Sequence, residues 1–419
     1  MRILHTADWH MNNRLGRLDI SHHIIGALEQ IASLLEERQV DVMVVAGDIF
    51  SERSRPDELR TAIAEIRRLF LPFLSGGGTI IAIAGNHDSE VFFETLRDAL
   101  SLAAPGSGTT NTSQRASNNY AISGGLHITA TPDYIRLCDV EGIEVQFALM
   151  PYPTPRCYLR GENINCDSIE QKHYLVQQGY ARMLQTIQEK KIDPCLPSVL
   201  VSHIHVRGAQ THSLYKISET EDVIFNLSDI PTHWAYAAYG HIHRPGPVRE
   251  GYDHVRYCGS VARLDAAERD DAKSVVLVDI GQAGCIGPPE IVPLRTTPFY
   301  QIEIHDPDTE IEQLTTRYPD ADVALVHYTL HWQPDKHNLN AISSALDKIF
   351  PNCYNRDLCQ SAKITRAPAG VSASSLPPLH DVAGTVRRFL EHRFQEHPER
   401  ADLLSLADKL LAEDGSHSE

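Results

Sequence analysis

Five short apolar runs in this chain each end in residues that bind metals, and helix-like stretches separate most of them. The runs are Arg2–Ala7, Val40–Ala46, Thr79–Ala84, Ser198–Val201 and Ala235–Tyr239. Behind them stand Asp8-Trp9-His10, Gly47-Asp48, Gly85-Asn86-His87-Asp88, Ser202-His203 and Gly240-His241-Ile242-His243. Runs of this length, bounded by turn residues, read as buried strands. Their alternation with helical periodicity predicts an α/β layered sheet rather than an all-α or all-β fold. In open α/β sheets, sites are assembled beyond the carboxyl ends of the strands, where these residues fall.

The helices between the strands show their own signals. Ile24, Leu28, Ile31, Leu34 and Leu35 recur at helical spacing across His22–Glu37, and Pro56 opens a second helix to Phe70. Further helices are expected over Glu90–Leu100 and Ile169–Glu189, and further strands at Val145–Met150 and Ser274–Asp279. The Gly-, Ser-, Thr- and Asn-rich stretch over 103–125 reads as an exposed loop. A first domain over 1–289 closes near Gly287-Pro288-Pro289. A small βαβα unit follows over 290–371, with strands suggested by Tyr300, Ile302, Ile304 and by Val323, Leu325, His327, Thr329, and helices over Thr309–Tyr318 and Asn338–Phe350. A Ser/Pro linker and two amphipathic helices occupy 372–419, carried by Val382, Val386, Phe389, Leu390, Phe394 and by Leu403, Leu406, Leu410, Leu411.

The residue types point to two-metal chemistry. Residues i and i+2 of an extended segment face the same way, so Asp8 and His10 can serve one region and His241 and His243 another. The carboxylate of Asp48 can bridge two cations, and Asn86 supplies a neutral oxygen. Mixed nitrogen and oxygen donors favour a transition ion such as manganese over magnesium. His87 is reserved from ligation as the general acid, and Asp88 is expected to orient its imidazole.

The order DxH, GD, GNHD, H, GHxH resembles the calcineurin-like metallophosphoesterases. The resemblance implies a sheet sandwich flanked by helices, two divalent ions held by Asp8, His10, Asp48, Asn86, His203, His241 and His243, and His87 as catalytic histidine. The opening Arg2–His10, Gly47-Asp48-Ile49-Phe50, and Tyr257-Cys258-Gly259-Ser260 with Arg263, Glu268 and Lys273 are similar to the SbcD-type DNA exonuclease subunits over about residues 1–280. That likeness implies a manganese-dependent 3′-to-5′ exonuclease and endonuclease, a homodimer within a heterotetramer with an SbcC-type coiled-coil ATPase, a DNA-capping role for 290–371 and ATPase docking by the last helices. Asn12, Ser51 and Cys258 depart from the pattern without touching the ligand set. Other readings are a metallophosphoesterase acting on another phosphoester, or a non-catalytic scaffold.

Composition constrains the partners. A net charge of −17 argues against autonomous DNA binding, so the cationic surface would come from the metals and the ATPase. Eight cysteines without a CxxC pair indicate neither zinc knuckle nor disulfide scaffold, and no apolar run approaches the roughly 18 residues of a membrane span. A cytoplasmic protein without membrane contact is expected. Among the remaining residues, His5 reads as a packed core histidine, Trp9 as a packing residue, His22 and His23 as solvated, and His205 as a bystander to His203. Arg14, Arg17, Arg53 and Arg55 are either phosphate contacts or partners of surface carboxylates.

Overall fold

Within the first strand, Ile3 faces one way and Leu4 the other, and both are fully buried. A strand apolar on both faces must be covered on both. The computed structural model describes residues 1–52, 54–103, 125–160, 166, 168–209, 222–229, 233–360 and 404. In chain order these include β1 (Arg2–Thr6), α1 (Ser21–Glu37), β2 (Val42–Ala46), α2 (Pro56–Ser75), β3 (Thr79–Ile83), α3 (Glu90–Ala103), β4 (Leu126–Thr129), β5 (Asp133–Cys138), β6 (Glu144–Met150), α4 (Ile169–Lys190), β7 (Ser198–His203), β8 (Tyr236–Gly240), β9 (Val255–Tyr257), β10 (Ser274–Gly281) and β11 (Glu290–Pro293). The small unit adds β12 (Phe299–Ile304), α5 (Pro307–Arg317), β13 (Leu325–Trp332), α6 (Leu339–Ile349) and β14 (Cys353–Gln360).

Two large sheets stack face to face. In one, β1 to β4 run parallel in the order β4-β3-β2-β1, and β10 joins β1 antiparallel, with β11 beyond it. In the other, β6, β7, β8 and β9 run parallel and β5 closes an edge antiparallel. Between the sheets lie Ile3, Val42, Val44, Ile81 and Ile83 against Phe147, Leu149, Val199, Val201 and Ala238. The opposite strand faces, bearing Leu4, Met43 and Val45, meet Ile24, Leu28 and Ile31 of α1, while Leu200, Ala237 and Tyr239 meet Val176, Tyr180 and Leu184 of α4. Each such aliphatic side chain stabilises the fold by about 1.5–3 kcal/mol on burial. The result is the expected layered sandwich with helices outside.

The small unit is not βαβα. A third parallel strand, β14, pairs with β13, which pairs with β12. Its sequence, CYNRDLCQ, is polar because it is an edge strand that buries little, so no apolar periodicity announces it. Helices α5 and α6 pack on one face of this sheet, against Ile302, Ile304, Val326, Tyr328 and Leu330. The alternation of Leu325, His327 and Thr329 noticed in sequence therefore follows the face away from that cluster over most of its length. Phe299 and Leu325 join the first domain's core, with Tyr354 packed against it.

Contacts divide the chain into Met1–Gln360 and Ser361–Glu419. The C-terminal helices expected beyond Val382, the residues 104–124 of the expected loop and Arg53 lie outside the described residues. No helix among the described residues is long and apolar enough to cross a membrane.

Candidate metal centre

The strand ends that carry Asp8, Asp48 and Asn86 belong to the first sheet, and those that carry His203 and His241 belong to the second. Tight turns hold the loops together: Asp8 N–H donates to the Gly47 carbonyl at 3.0 Å and His10 N–H to the Asp48 carbonyl at 2.9 Å. The turns are strained. Asp8 (φ 51°), His10 (φ 46°), Asp48 (φ 53°) and His241 (φ 94°) all sit at positive φ, a region most side chains avoid. Such strain costs on the order of 1–3 kcal/mol per residue and concentrates at functional sites.

All eight predicted site residues come together. His10 Nε2 lies 3.2 Å from His243 Nε2, and Asp48 Oδ2 lies 3.4 Å from His10 Nε2 and 3.3 Å from His203 Nε2. Asn86 Oδ1 is 3.0 Å from both His203 Nε2 and His241 Nδ1. Asp8, His10 and His243 form one set of convergent ligand atoms, and Asp8, Asp48 and His203 another. Asp8 is common to both, and Asp48 Oδ2 links them by reaching His10 of the first and His203 of the second. His87 also lies within reach of His10 and Asp48, its ring centroid 4.8 Å from that of His10. Asp8, His10, Asp48 and His203 are buried, whereas Asn86 is exposed and His87 half-buried, so the site opens on the Asn86–His87 side.

The arrangement fits cations. His203 Nδ1–H donates to the Ala46 carbonyl at 2.8 Å, His243 Nδ1–H to Glu268 Oε1 at 2.7 Å, and His241 Nε2–H to Asp222 Oδ2 at 2.8 Å. With those protons placed outward, the inner nitrogens present lone pairs to Asn86 Oδ1 and to one another. Such contacts are repulsive unless a proton or a cation lies between them. Separations of 3.0–3.4 Å are those that ligand bonds of about 2.1 Å to a common ion produce. The buried His and Asp clusters thus suit a dimetal site.

Electrostatics agree. Burial would raise the Asp48 carboxyl, yet the imidazoles of His203 and His10 hold it well below the carboxylate range. Burial opposes protonation of His203, but Asp48 and Asp8 push its pKa up to about 9; His10, where burial dominates, falls to about 3. Asp48 and His203 thus favour each other's charged forms, the electrostatic setting in which a cation can take the place of a proton.

Several supporting residues escaped the sequence reading or changed role. Asp222, absent from the expected set, accepts from His205 Nδ1 at 3.0 Å and from Tyr152 Oη at 3.0 Å as well as from His241. Against burial, His241 and His205 hold its carboxyl far below the usual range. No signal marked it, because it follows no apolar run. Glu268 and Lys273, noted only for resemblance, form a buried pair at 2.6 Å that backs His243. Asp88 does not orient His87: its oxygens accept from the backbone N–H groups of Gly85 (2.9 Å), Ile49 (3.2 Å) and Phe50 (2.9 Å), stitching two ligand loops together. Gly85 must be glycine, since a Cβ there would stand 2.1 Å from Asp48 Oδ1.

The bystanders sort as follows. His5 is fully buried and bonded to Tyr236 Oη at 2.9 Å, and Trp9 stacks on Phe70 while its indole donates to Thr6. His23 is not solvated; it is half-buried beside Thr297 Oγ1 at 2.6 Å. Arg14 and Arg55 pair with Glu58, and Arg17 is exposed. His205 belongs to the Asp222 cluster outside the main set.

Two mixed sheets whose carboxyl edges meet over linked His, Asp and Asn sets define a metallophosphoesterase architecture. A model of the calcineurin-like phosphoesterases matches residues 1–245, more than half of the chain, and the chain belongs to that family. It is similar to the SbcD component of nuclease SbcCD from Bacillus subtilis (strain 168), 29% identical over 296 residues, 67% of this chain and 66% of that protein. The corresponding component from Escherichia coli (strain K12) is 28% identical over 290 residues, 66% of this chain and 64% of that protein. The chain thus spans slightly under two-thirds of the length of these relatives. Among solved structures, a dimetal phosphatase from Danio rerio aligns with a TM-score of 0.40 and 11% identity, over 70% of this chain and 99% of that one.

Proposed function

We propose that the chain is the nuclease subunit of a DNA end-processing enzyme: a manganese-dependent phosphodiesterase with 3′-to-5′ exonuclease and endonuclease activity, working in the cytoplasm as a homodimer with an SbcC-type ATPase. The observation that carries the hydrolytic reading is the position of Asp48, whose Oδ2 lies 3.4 Å from His10 Nε2 and 3.3 Å from His203 Nε2, one histidine from each of two sets of convergent ligand atoms. Support for DNA as substrate comes from the similarity to the two SbcCD nuclease components and from the Glu268–Lys273 pair, which lies in the segment shared in pattern with that group.

Asp8, His10, Asp48, Asn86, His203, His241 and His243 would hold two ions, which when bound neutralise phosphate oxygens and activate water. The protein's own contribution is positional. The outward protons on His203, His241 and His243 keep their inner nitrogens free as ligands. His87, half-buried at the open side with its backbone N–H fixed on Asp48 Oδ1 at 2.8 Å, gives its ring proton to the leaving sugar oxygen. Residues 1–289 form the nuclease core, 290–371 cap the DNA, and 372–419 dock the ATPase, which supplies the cationic surface that a net charge of −17 withholds.

The test is hydrolysis of end-labelled duplex DNA by the full chain with Mn²⁺, with and without an SbcC-type ATPase, beside a p-nitrophenyl phosphodiester. DNA degradation should require manganese, stop on chelation and vanish in Asp48→Ala. His87→Ser should keep its ions and lose hydrolysis. Cleavage of the small ester with DNA untouched in both conditions would overturn the nuclease assignment, and metal-loaded wild-type protein inert to both substrates would overturn the enzymatic one.

A further inference from the structure

The pleat of the small sheet turns Gln301 and Glu303 of β12 and His327, Thr329 and His331 of β13 away from the helices, and His305 follows directly after β12. These side chains are exposed or half-buried. Parallel pairing sets Glu303 opposite Thr329 and Ile304 opposite Leu330, which brings His331 beside Glu303 and His305 at the end of the ladder. Glu303 Oε1 lies 3.0 Å from His331 Nε2 and 3.7 Å from His305 Nε2, and the two rings stack with centroids 4.6 Å apart. Their ligand atoms all converge within 4.8 Å. Among the described residues, these two histidines are the ion partners of Glu303.

We propose that Glu303, His305 and His331 bind a divalent transition ion of the zinc class, at a site separate from the phosphoesterase centre. The donor set is two imidazole nitrogens and one carboxylate oxygen, which suits zinc and disfavours magnesium or calcium, whose preferred shells are all oxygen. The spacing suits it as well. Tetrahedral bonds of about 2.0–2.1 Å put neighbouring ligand atoms about 3.3 Å apart, and the observed 3.0 and 3.7 Å straddle that edge. Three protein ligands leave the fourth position to water. A metal here ties β12 to β13 on the side that the helices leave bare.

The geometry owes nothing to the catalytic reading, so the two can fail separately. Chelator-stripped full-length protein is equilibrated with Zn²⁺ and bound metal is counted by mass spectrometry, in the natural chain and in an Asp48→Ala background that disables the main centre. His305→Ala/His331→Ala should bind one zinc fewer per chain in both backgrounds, and Co²⁺ should lose the matching visible absorption bands. Glu303→Gln should weaken zinc binding at this site about tenfold or more. Because the altered side chains lie at the surface, melting without metal should stay unchanged, which separates ligand loss from misfolding. Equal zinc counts in the double variant and its parent, in both backgrounds, would overturn the site.

Discussion

Two gatherings of histidine and carboxylate among the described residues differ in what stands behind the rings. At the strand ends of the sandwich, His203, His241 and His243 each donate an outward proton to a buried acceptor: the Ala46 carbonyl, Asp222 and Glu268. On the small sheet, His331 and His305 share one exposed carboxylate and stack on each other. The first arrangement is over-determined, with tautomer and ring direction set before any ion arrives. The second rests its rings on that exposed carboxylate and on each other. The difference teaches that ligand type alone does not make a strong site; the buried acceptors and positive-φ turns do.

The sharpest way to break this contrast is to attack the support and leave the ligands. Gly85→Ala places a methyl group 2.1 Å from Asp48 Oδ1 and 2.4 Å from its backbone nitrogen, so the two loops must part. The expected cost is about 3 kcal/mol in denaturant unfolding, with loss of metal binding. An unchanged midpoint and intact metal uptake would show that the loops are looser than their packing implies. A smaller effect is expected from Asp222→Asn, which keeps shape but removes the charge that orients His241. Manganese affinity measured by calorimetry should fall about 10–100-fold with little change in melting; full affinity would show that the outer acceptor is dispensable.

Burial distinguishes histidines in their response to acid as well. His5, fully buried between the sheets, has its pKa lowered to about 3, chiefly by burial and then by Arg256. Because the unfolded imidazole protonates near 6.5 and the folded one does not, the unfolded state takes up the extra proton. Stability is fully present above pH 6.5 and is lost as pH falls toward 3. Between neutral pH and pH 5 the loss from this residue is about 2 kcal/mol. Urea titrations at both pH values should show that difference shrink in His5→Gln; an equal acid loss in both chains would count against His5 as its source. The smallest effect belongs to the exposed cluster. His331→Ala, assayed without zinc, should change stability by no more than about 0.5 kcal/mol and leave hydrolysis at the main centre unaltered.

Much of the sandwich was legible because its strands are apolar on both faces and its helices keep strict periodicity. Arg2–Ala7, Val40–Ala46 and Thr79–Ala84 match β1, β2 and β3 closely, since a buried parallel strand has no face on which to place polar residues. Where burial is one-sided the signal fades. β14 was invisible for that reason, and the β13 alternation marked the wrong side of its sheet. At the centre the candidate ligand residues announced themselves behind strands, whereas Asp222 and the stitching role of Asp88 did not, because a carboxylate that bonds backbone or a ring nitrogen looks like any surface acid in one dimension.

From the sequence alone came the layered α/β class, the candidate ligand residues that the fold brings together and the element periodicity, all of which depend on local spacing and on which side chains can be buried. Tertiary structure decided which nitrogen of each ring faces inward, what anchors the other, and which histidines share a carboxylate across strands. Those outcomes depend on contacts between segments up to 233 residues apart, as between Asp8 and His241, and only the completed stacking of two sheets sets such distances.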